Sequence, residues 1–210
     1  MYYGVVGQVG MAGFYHETNG PRSGLGVNSG DNDCDGERFG NAVLTENSWN
    51  APYQAWSLSK STPPGSEWRK LLCMQTVFLH TVRPCVTHTV FSPESLTDTQ
   101  ISEVRDHVNP IALTAWATVV GGDFNETPLE TSLDRMYSNT FQSGYGLFSE
   151  ASQNCQGSLA QRCGLATLGS LKVDYMFLGG LWRSPVASTG TASVSDHKVF
   201  RATVLLKAYR

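Results

Sequence analysis

The sequence predicts one α/β domain in which strands outnumber helices. Apolar or alternating runs recur along the chain between glycine, proline, serine and asparagine clusters, which is typical of strands joined by turns. One segment instead carries apolar residues at helical spacing. With 210 residues, 40% hydrophobic and 16% charged, the chain is long enough to bury one large core, and we take residues 1–210 as a single domain.

The strand predictions follow from these runs. The predicted strands are 13–18, 37–45, 51–59, 69–78, 82–90, 117–120, 172–178 and 199–206. Residues 69–78 and 82–90 form a hairpin centred on Leu79, and residues 51–59 are expected at a sheet edge.

Two helices are predicted. Ser92-Pro93-Glu94 opens a helix over 97–109, in which Ile101, Val104 and Val108 share one face. Pro110 is expected to kink or end this helix. A shorter amphipathic helix is predicted over 129–137, on Leu129, Leu133, Met136 and Tyr137. Residues 19–36 and 138–170 are expected to be mostly loop, and Trp182-Arg183 to lie in a loop.

The segment Gly121-Gly122-Asp123-Phe124-Asn125 directly follows the strand at 117–120. Asp123 and Asn125 are two residues apart, so both point to the same side of an extended segment. A carboxylate and an amide presented together at a strand end suit a metal-bound phosphate. Taken alone the segment is a weak signal, because ordinary turns use the same residues.

Three further motifs stand at the ends of other predicted strands: Thr87-His88, Lys172-Val173-Asp174-Tyr175 and Ser195-Asp196-His197. With the Gly-Asp-Phe-Asn segment, and in this order, they resemble the endonuclease/exonuclease/phosphatase superfamily. Its members include pancreatic-type DNase, abasic-site endonucleases, bacterial sphingomyelinases and inositol-phosphate phosphatases. The resemblance covers roughly residues 37–206, and four motifs in order are far more specific than one.

The resemblance implies a four-layer αββα sandwich of the DNase-like type, with two mostly antiparallel sheets and helices outside. The superfamily fold begins with two strands that carry an Asn and a metal-binding Glu, and neither is found in this sequence. Val5-Val6-Gly7-Gln8-Val9 resembles the second strand only superficially, because Val9 stands where the glutamate is needed. We therefore expect the first strands of the domain to lie upstream of Met1.

The resemblance also implies a role for each motif residue. Asp174 orients His197, which activates the attacking water or stabilises the transition-state phosphorane, and histidine suits proton transfer near neutral pH. Asp196 helps to ligate a divalent metal, Mg²⁺ or else Mn²⁺ or Ca²⁺, and the metal neutralises charge on the phosphoryl oxygens.

The resemblance implies that the remaining motif residues face the substrate. His88 binds or protonates a phosphate oxygen, Asn125 donates to the same phosphate, and Asp123 positions water or metal. Each residue taken singly has a structural alternative, since a histidine at a strand end is more often merely hydrogen-bonded.

His16, His80 and His107 have no supporting motif and are interpreted as surface or loop residues. Trp182-Arg183 is as well explained by packing as by contact with a substrate headgroup or base.

The implied activity is a metal-dependent phosphodiesterase, most concretely an exported endonuclease acting as a monomer. The net charge of −3 argues against strong electrostatic binding to DNA or RNA. A phospholipid or small phosphoester is therefore the alternative substrate. A remnant that keeps the scaffold as a binding module is the alternative from a different class. No apolar run approaches the ~20 residues of a membrane-spanning helix.

The five cysteines bear on the cellular compartment. Cys73 and Cys85 are equidistant from the hairpin centre and should oppose each other closely enough for a disulfide. Cys155 and Cys163 close a short loop and form a second candidate pair, which leaves Cys34 without a partner. Disulfides imply a secreted protein, whereas the alternative is five free thiols in the cytosol. Residues 1–6 do not have the character of a signal peptide.

Overall fold

A computed structural model describes residues 11–17, 40–46, 52–59, 69–77, 81–153, 161–193 and 195–207. These residues form three sheets, a long α-helix and a short 3-10 helix. The strands are β1 Met11–Glu17, β2 Gly40–Glu46, β3 Tyr53–Ser57, β4 Lys70–Met74, β5 Thr76–Val77, β6 Thr81–His88, β7 Ala117–Asp123, β8 Ser149–Glu150, β9 Asp174–Gly180, β10 Trp182–Gly190 and β11 Val199–Leu206. Helix α1 is Glu94–Thr114, and the 3-10 helix is Thr131–Arg135.

The main sheet has seven strands in the order β3-β4-β6-β7-β9-β8, with β5 also paired to β6. All its pairs are antiparallel except β6 with β7. Helix α1 connects these two parallel strands, as a parallel pair requires a crossover. The other sheets are the antiparallel pairs β1–β2 and β10–β11. The predicted hairpin, the edge position of β3 and the last strand are confirmed.

Strand β4 is buried on both faces, which shows how the layers stack. Leu71 and Cys73 belong to the cluster that contains the buried face of α1. The alternate residues, Leu72 and Met74, pack instead with Val43 of β2. Since successive side chains of a strand point to opposite faces, the helix lies on one face of the main sheet and β2 on the other. The α/β class and its layered arrangement of helix, sheet and sheet are confirmed.

An aromatic core lies behind the ends of β7 and β9. Phe124, Tyr175 and Phe177 are all buried, and Phe124 meets Tyr175 and Phe177 edge to face at 5.7 and 5.3 Å between ring centroids. Phe124 directly follows Asp123, and Tyr175 directly follows Asp174. The rings therefore anchor the backbone on which the two carboxylates are carried.

The disulfide between Cys73 and Cys85 is confirmed. The two residues are register partners in β4 and β6, and their Cα atoms are 4.0 Å apart. Cys163 is also disulfide-bonded. Its pairing with Cys155 stays a prediction, because Cys155 and Cys34 fall outside the described residues.

The helix does not end at Pro110, and the alternative of a kink there stays a prediction. Helix α1 runs through Pro110 to Thr114. Its last turn is held by Ala112, which is buried, and by Ile111, which packs against the core. The Thr114 hydroxyl also donates to the Pro110 carbonyl at 3.0 Å. Packing and this capping bond offset the backbone hydrogen bond that proline cannot make.

Other local predictions need correction. The helix predicted over 129–137 is only the 3-10 helix Thr131–Arg135, and Leu129 is exposed rather than part of its apolar face. His107 lies on α1 rather than in a loop, and it is half-buried, with its ring stacked on Trp56 at 4.7 Å between centroids. Trp182 begins β10 rather than lying in a loop, and its indole donates to the Thr118 carbonyl at 3.1 Å.

Several predictions concern segments beyond the described residues. These are the loop at 19–36, His80 and residues 1–10. Strand β1 at Met11–Glu17 places His16 on a strand and agrees with the prediction for 13–18.

Candidate active site

Three of the four motifs lie on neighbouring strands at one level of the main sheet. His88 is the register partner of Asp123 across β6 and β7, and Asp123 is the partner of Asp174 across β7 and β9. Residues directly opposite each other on adjacent strands share a face of the sheet. The parallel strands β6 and β7 end at the level where the antiparallel strand β9 begins. The pairing of the sheet therefore brings His88, Asp123 and Asp174 together.

His197 reaches the same place from the segment before β11. Its main chain forms an isolated bridge with Leu168, and the amide of the next residue, Lys198, donates to the Thr167 carbonyl at 2.7 Å. The imidazole Nδ1 lies 2.8 Å from Asp174 Oδ2. This contact is short enough for a charge-assisted hydrogen bond, which fixes the ring and leaves Nε2 facing the site.

Asp123 lies between the two imidazoles. Its Oδ2 is 3.5 Å from Nε2 of His88 and 3.9 Å from Nε2 of His197. Burial raises the pKa of Asp123 to about 6, although the backbone N–H of Asn125 opposes this by donating to Oδ1 at 2.8 Å. The carboxylate is therefore a better proton acceptor than an exposed aspartate.

The two histidines have opposite electrostatic environments. Burial, followed by the charges of Arg69 and His197, lowers the pKa of His88 to about 3. Burial also lowers the pKa of His197, but the hydrogen bond and charge of Asp174 outweigh it and raise the pKa above its ordinary value. At neutral pH His88 is a neutral imidazole, whereas His197 is the stronger base.

Asn125 turns back over the end of β7 in the left-handed region, with φ of 52°. Its side-chain amide donates to the Thr89 carbonyl at 2.8 Å. Asparagine tolerates this conformation better than most residues. The amide nitrogen carries two hydrogens, so one of them remains for a substrate oxygen. The predicted role of Asn125 as a phosphate donor therefore stays open to test.

Glycine at position 122 permits the close contact of β6 and β7 at the site. Gly122 has φ of +145°, and a Cβ there would lie 1.9 Å from the Thr87 carbonyl oxygen. Only glycine combines this conformation with so near a neighbour. The Gly-Gly of the motif therefore determines the spacing between His88 and Asp123, which follow Thr87 and Gly122 in register.

Sequence reasoning missed two residues that belong to the site. Arg69 lies immediately before β4; its charge lowers the pKa of His88 and partly opposes the rise in the pKa of Asp123. Thr167 is fully buried, and its hydroxyl accepts from the amides of Val173 and Asp174 at 3.1 and 3.0 Å. Neither residue stands in a recognisable motif, so only their positions in space reveal them.

The site offers a donor set for a divalent cation. Asp123, Asp174 and His197 each place one ligand atom within 4.8 Å of the others. The two carboxylates, Asp123 and Asp174, are oxygen ligands of the kind that Mg²⁺ and Mn²⁺ prefer, so they fit the group. Asp196 is exposed and is not one of these three residues. Its role as a metal ligand stays a prediction.

The fold is that of the endonuclease/exonuclease/phosphatase proteins. The protein of this family from Bacteroides vulgatus superposes with a TM-score of 0.64 at 13% identity, over 94% of this chain and 77% of that one. The mannosyl-6-phosphatase of Bacteroides thetaiotaomicron gives 0.63 at 11% identity, with coverage of 94% and 78%. The human Nocturnin catalytic domain, solved with a bound sulfate anion, gives 0.59 at 14%, with coverage of 92% and 73%.

The likeness is one of structure rather than of sequence. No family model matches the chain, and no curated protein matches it significantly. None of the described helices has the length and apolar character needed to cross a membrane.

Proposed function

We propose that the protein is a divalent-metal-dependent phosphoester hydrolase. The observation that carries the proposal is the convergence of His88, Asp123, Asp174 and His197 from separate strand ends, with the 2.8 Å contact between Asp174 and His197 at its centre. The structures it resembles include a mannosyl-6-phosphatase and an endonuclease/exonuclease/phosphatase protein, and a phosphoester substrate agrees with both names.

His197 is the proton-transfer group of the proposed reaction. Asp174 accepts a hydrogen bond from Nδ1–H of His197 and stabilises the imidazolium that forms when Nε2 takes a proton from the attacking water. A divalent cation held by the carboxylates of Asp123 and Asp174 would supply Lewis-acid stabilisation of charge on the phosphoryl oxygens. Water attacks phosphorus as the P–O bond to the leaving alcohol breaks, so the reaction needs no covalent enzyme intermediate.

The other residues bind the phosphoryl group. Neutral His88 donates through a ring N–H to one phosphoryl oxygen, and the free hydrogen of the Asn125 amide donates to another. Arg69 would contribute positive charge to the same region, since its charge is among the causes that lower the pKa of His88. Asp123 orients the cation or the attacking water.

A phosphodiester such as DNA or RNA is the substrate that the motifs favour, and a small phosphoester is the second candidate. The net charge of −3 favours the second, because a protein that neutralises many phosphates is usually basic. We further propose that the protein is exported, since the disulfide between Cys73 and Cys85 is typical of an oxidising compartment.

The test compares wild-type protein with two histidine variants on three substrates: bis(p-nitrophenyl) phosphate, p-nitrophenyl phosphate and plasmid DNA. Assays contain Mg²⁺ or Mn²⁺, with EDTA as the metal-free control. We expect His197→Ala to lower kcat by on the order of 10²- to 10⁴-fold, the usual contribution of a general base. His107→Ala is the matched control, because His107 stacks on Trp56 on helix α1 and should leave activity unchanged.

Full activity in His197→Ala, or equal losses in both variants, would contradict the assignment. Preference for the diester or the monoester distinguishes the two substrate classes. Activity that is unaffected by EDTA would remove the cation from the mechanism.

A further inference from the structure

A buried ion pair lies next to Asp174 and is not used by the proposed chemistry. Lys172 Nζ is 3.1 Å from Glu150 Oε1, and their side chains are 3% and 0% exposed. Burying two charges carries a large desolvation cost, so such a pair is weak evidence for stability. A buried ion pair is better explained by a role in holding the surrounding segments in one conformation.

Lys172 contacts both segments that carry the His197–Asp174 pair. Its ammonium donates to the main-chain carbonyl of Asp174 at 3.0 Å. It also lies 4.5 Å from the ring centroids of both Tyr175 and Phe200. Tyr175 is the residue after Asp174, and Phe200 lies three residues after His197. A single cation thus links the start of β9 to the start of β11 through a hydrogen bond and two cation–π contacts.

The other end of the pair is equally fixed. Glu150 belongs to β8, which pairs with β9. Its Oε2 accepts from both the amide and the hydroxyl of Ser152 at 2.8 Å. The carboxylate is therefore a rigid partner, and its position is set by the same sheet that carries Asp174.

The surrounding backbone is shaped to the lysine side chain. A Cβ on Gly164 would lie 2.4 Å from both Cδ and Cε of Lys172 and 2.6 Å from the Ser152 hydroxyl. Gly164 also has φ of +157° and follows the disulfide-bonded Cys163. The absence of a side chain at this position leaves room for the lysine stem.

We propose that Lys172 is a positioning residue that holds the carboxylate of Asp174 against the imidazole of His197. The inference rests on the proposed function of that pair as the proton-transfer group. Loss of the Lys172 ammonium would remove neither Asp174 nor His197. It would, however, let the start of β9 and the start of β11 shift relative to each other. Misplacement of about 1 Å commonly costs on the order of 10²-fold in rate.

The test removes both charges together, in Lys172→Met/Glu150→Gln. The single variant Lys172→Met leaves an uncompensated buried carboxylate and is expected to lose stability, whereas the double variant avoids that cost. The matched control is Arg162→Met/Asp134→Asn. It removes another buried cation, Arg162, together with the charge of its carboxylate partner Asp134. Like Lys172, Arg162 lies over an aromatic ring, that of Tyr137.

We expect the Lys172→Met/Glu150→Gln protein to fold and to bind substrate with KM within about twofold of wild type, while kcat falls by on the order of 10²-fold. The control double variant should keep kcat. In an Asp174→Ala background, adding Lys172→Met/Glu150→Gln should cause no further loss, because a residue that acts through Asp174 has nothing left to position.

A second measurement needs no substrate. Amide hydrogen exchange at Asp174 and His197 should quicken by on the order of tenfold in Lys172→Met/Glu150→Gln, while the amides of β7 keep their protection. Unchanged exchange together with wild-type kcat would overturn the proposal. A kcat loss that merely follows lowered stability in both double variants would overturn it too. If wild-type protein hydrolyses no phosphoester, the proposed function fails, and the exchange result still decides whether Lys172 positions Asp174.

Discussion

Replacing Gly122 with alanine should open the candidate site without removing any of its polar groups. The added Cβ would lie 1.9 Å from the Thr87 carbonyl oxygen and 2.9 Å from its carbonyl carbon. Both contacts are with backbone, so no side-chain rotation can relieve them. Strand β7 is also paired to β9 on its other edge, which prevents it from simply moving away from β6.

The size of the effect follows from this geometry. Ordinary van der Waals contact begins at 3.4 Å, so the two strands must separate by about 1.5 Å at this point. Alanine must also adopt φ near +145°, a conformation that costs on the order of 1–3 kcal/mol for a residue with a side chain. With the lost ladder hydrogen bonds, we expect the free energy of unfolding to fall by about 3 kcal/mol. Separation of His88 from Asp123 should lower kcat by on the order of 10²-fold.

The measurement is urea unfolding together with phosphoester hydrolysis, and Gly121→Ala is the control. A Cβ on Gly121 would meet the Tyr175 and Cys85 carbonyl oxygens at 3.8 and 3.9 Å, which are ordinary contacts. The control should lose less than about 1 kcal/mol. Equal stability of the two variants, or wild-type stability in Gly122→Ala, would show that the close approach of β6 and β7 does not constrain the site.

Three further outcomes follow from the structure. Burial, with repulsion from neighbouring carboxylates, raises the pKa of Glu126 to about 7, so its ionisation opposes folding increasingly as pH rises from the ordinary value of 4.5 through 7. Glu126→Gln should therefore raise Tm at pH 8 but not at pH 4, and equal shifts at both pH values would contradict this. Replacing Cys73 and Cys85 together with alanine should lower the free energy of unfolding by about 3 kcal/mol in urea titration, because their disulfide closes a short loop in the unfolded chain; an unchanged midpoint would refute it. Thr167→Val should cost about 2 kcal/mol in the same titration, since the buried amide of Val173 and the part-buried amide of Asp174 lose their acceptor, whereas Thr167→Ser should retain most of the stability.

The sequence predicts the strands that carry the candidate site residues better than the elements between them. Strand β11 has the predicted bounds, and the centre at Leu79 correctly pairs Cys73 with Cys85. These segments are strongly apolar or alternating, so local pattern and final environment agree. The motif residues stand out for a similar reason, because each lies where an apolar run begins or stops.

The missed features depend on contacts across the fold. Strand β10 is rich in Ser, Thr, Gly and Pro and has no apolar alternation, so only its pairing with β11 makes it a strand. Helix α1 continues past Pro110 because Ile111 and Ala112 find a core that the local sequence does not reveal. Thr167 and Lys172 become significant only once the sheet places them beside Asp174.

The difference between the two histidines arises from their partners rather than from their distances to Asp123. Both Nε2 atoms face the same Asp123 oxygen, at 3.5 Å for His88 and 3.9 Å for His197. A shared carboxylate alone would favour protonation of both rings. Burial and the charge of Arg69 nevertheless lower the pKa of His88, whereas the hydrogen bond from His197 to Asp174 raises that of His197 against its own burial. Asp174 therefore determines which imidazole takes up the proton, and this is why the position of its carboxylate, rather than the presence of two histidines, is the structural requirement of the proposed reaction.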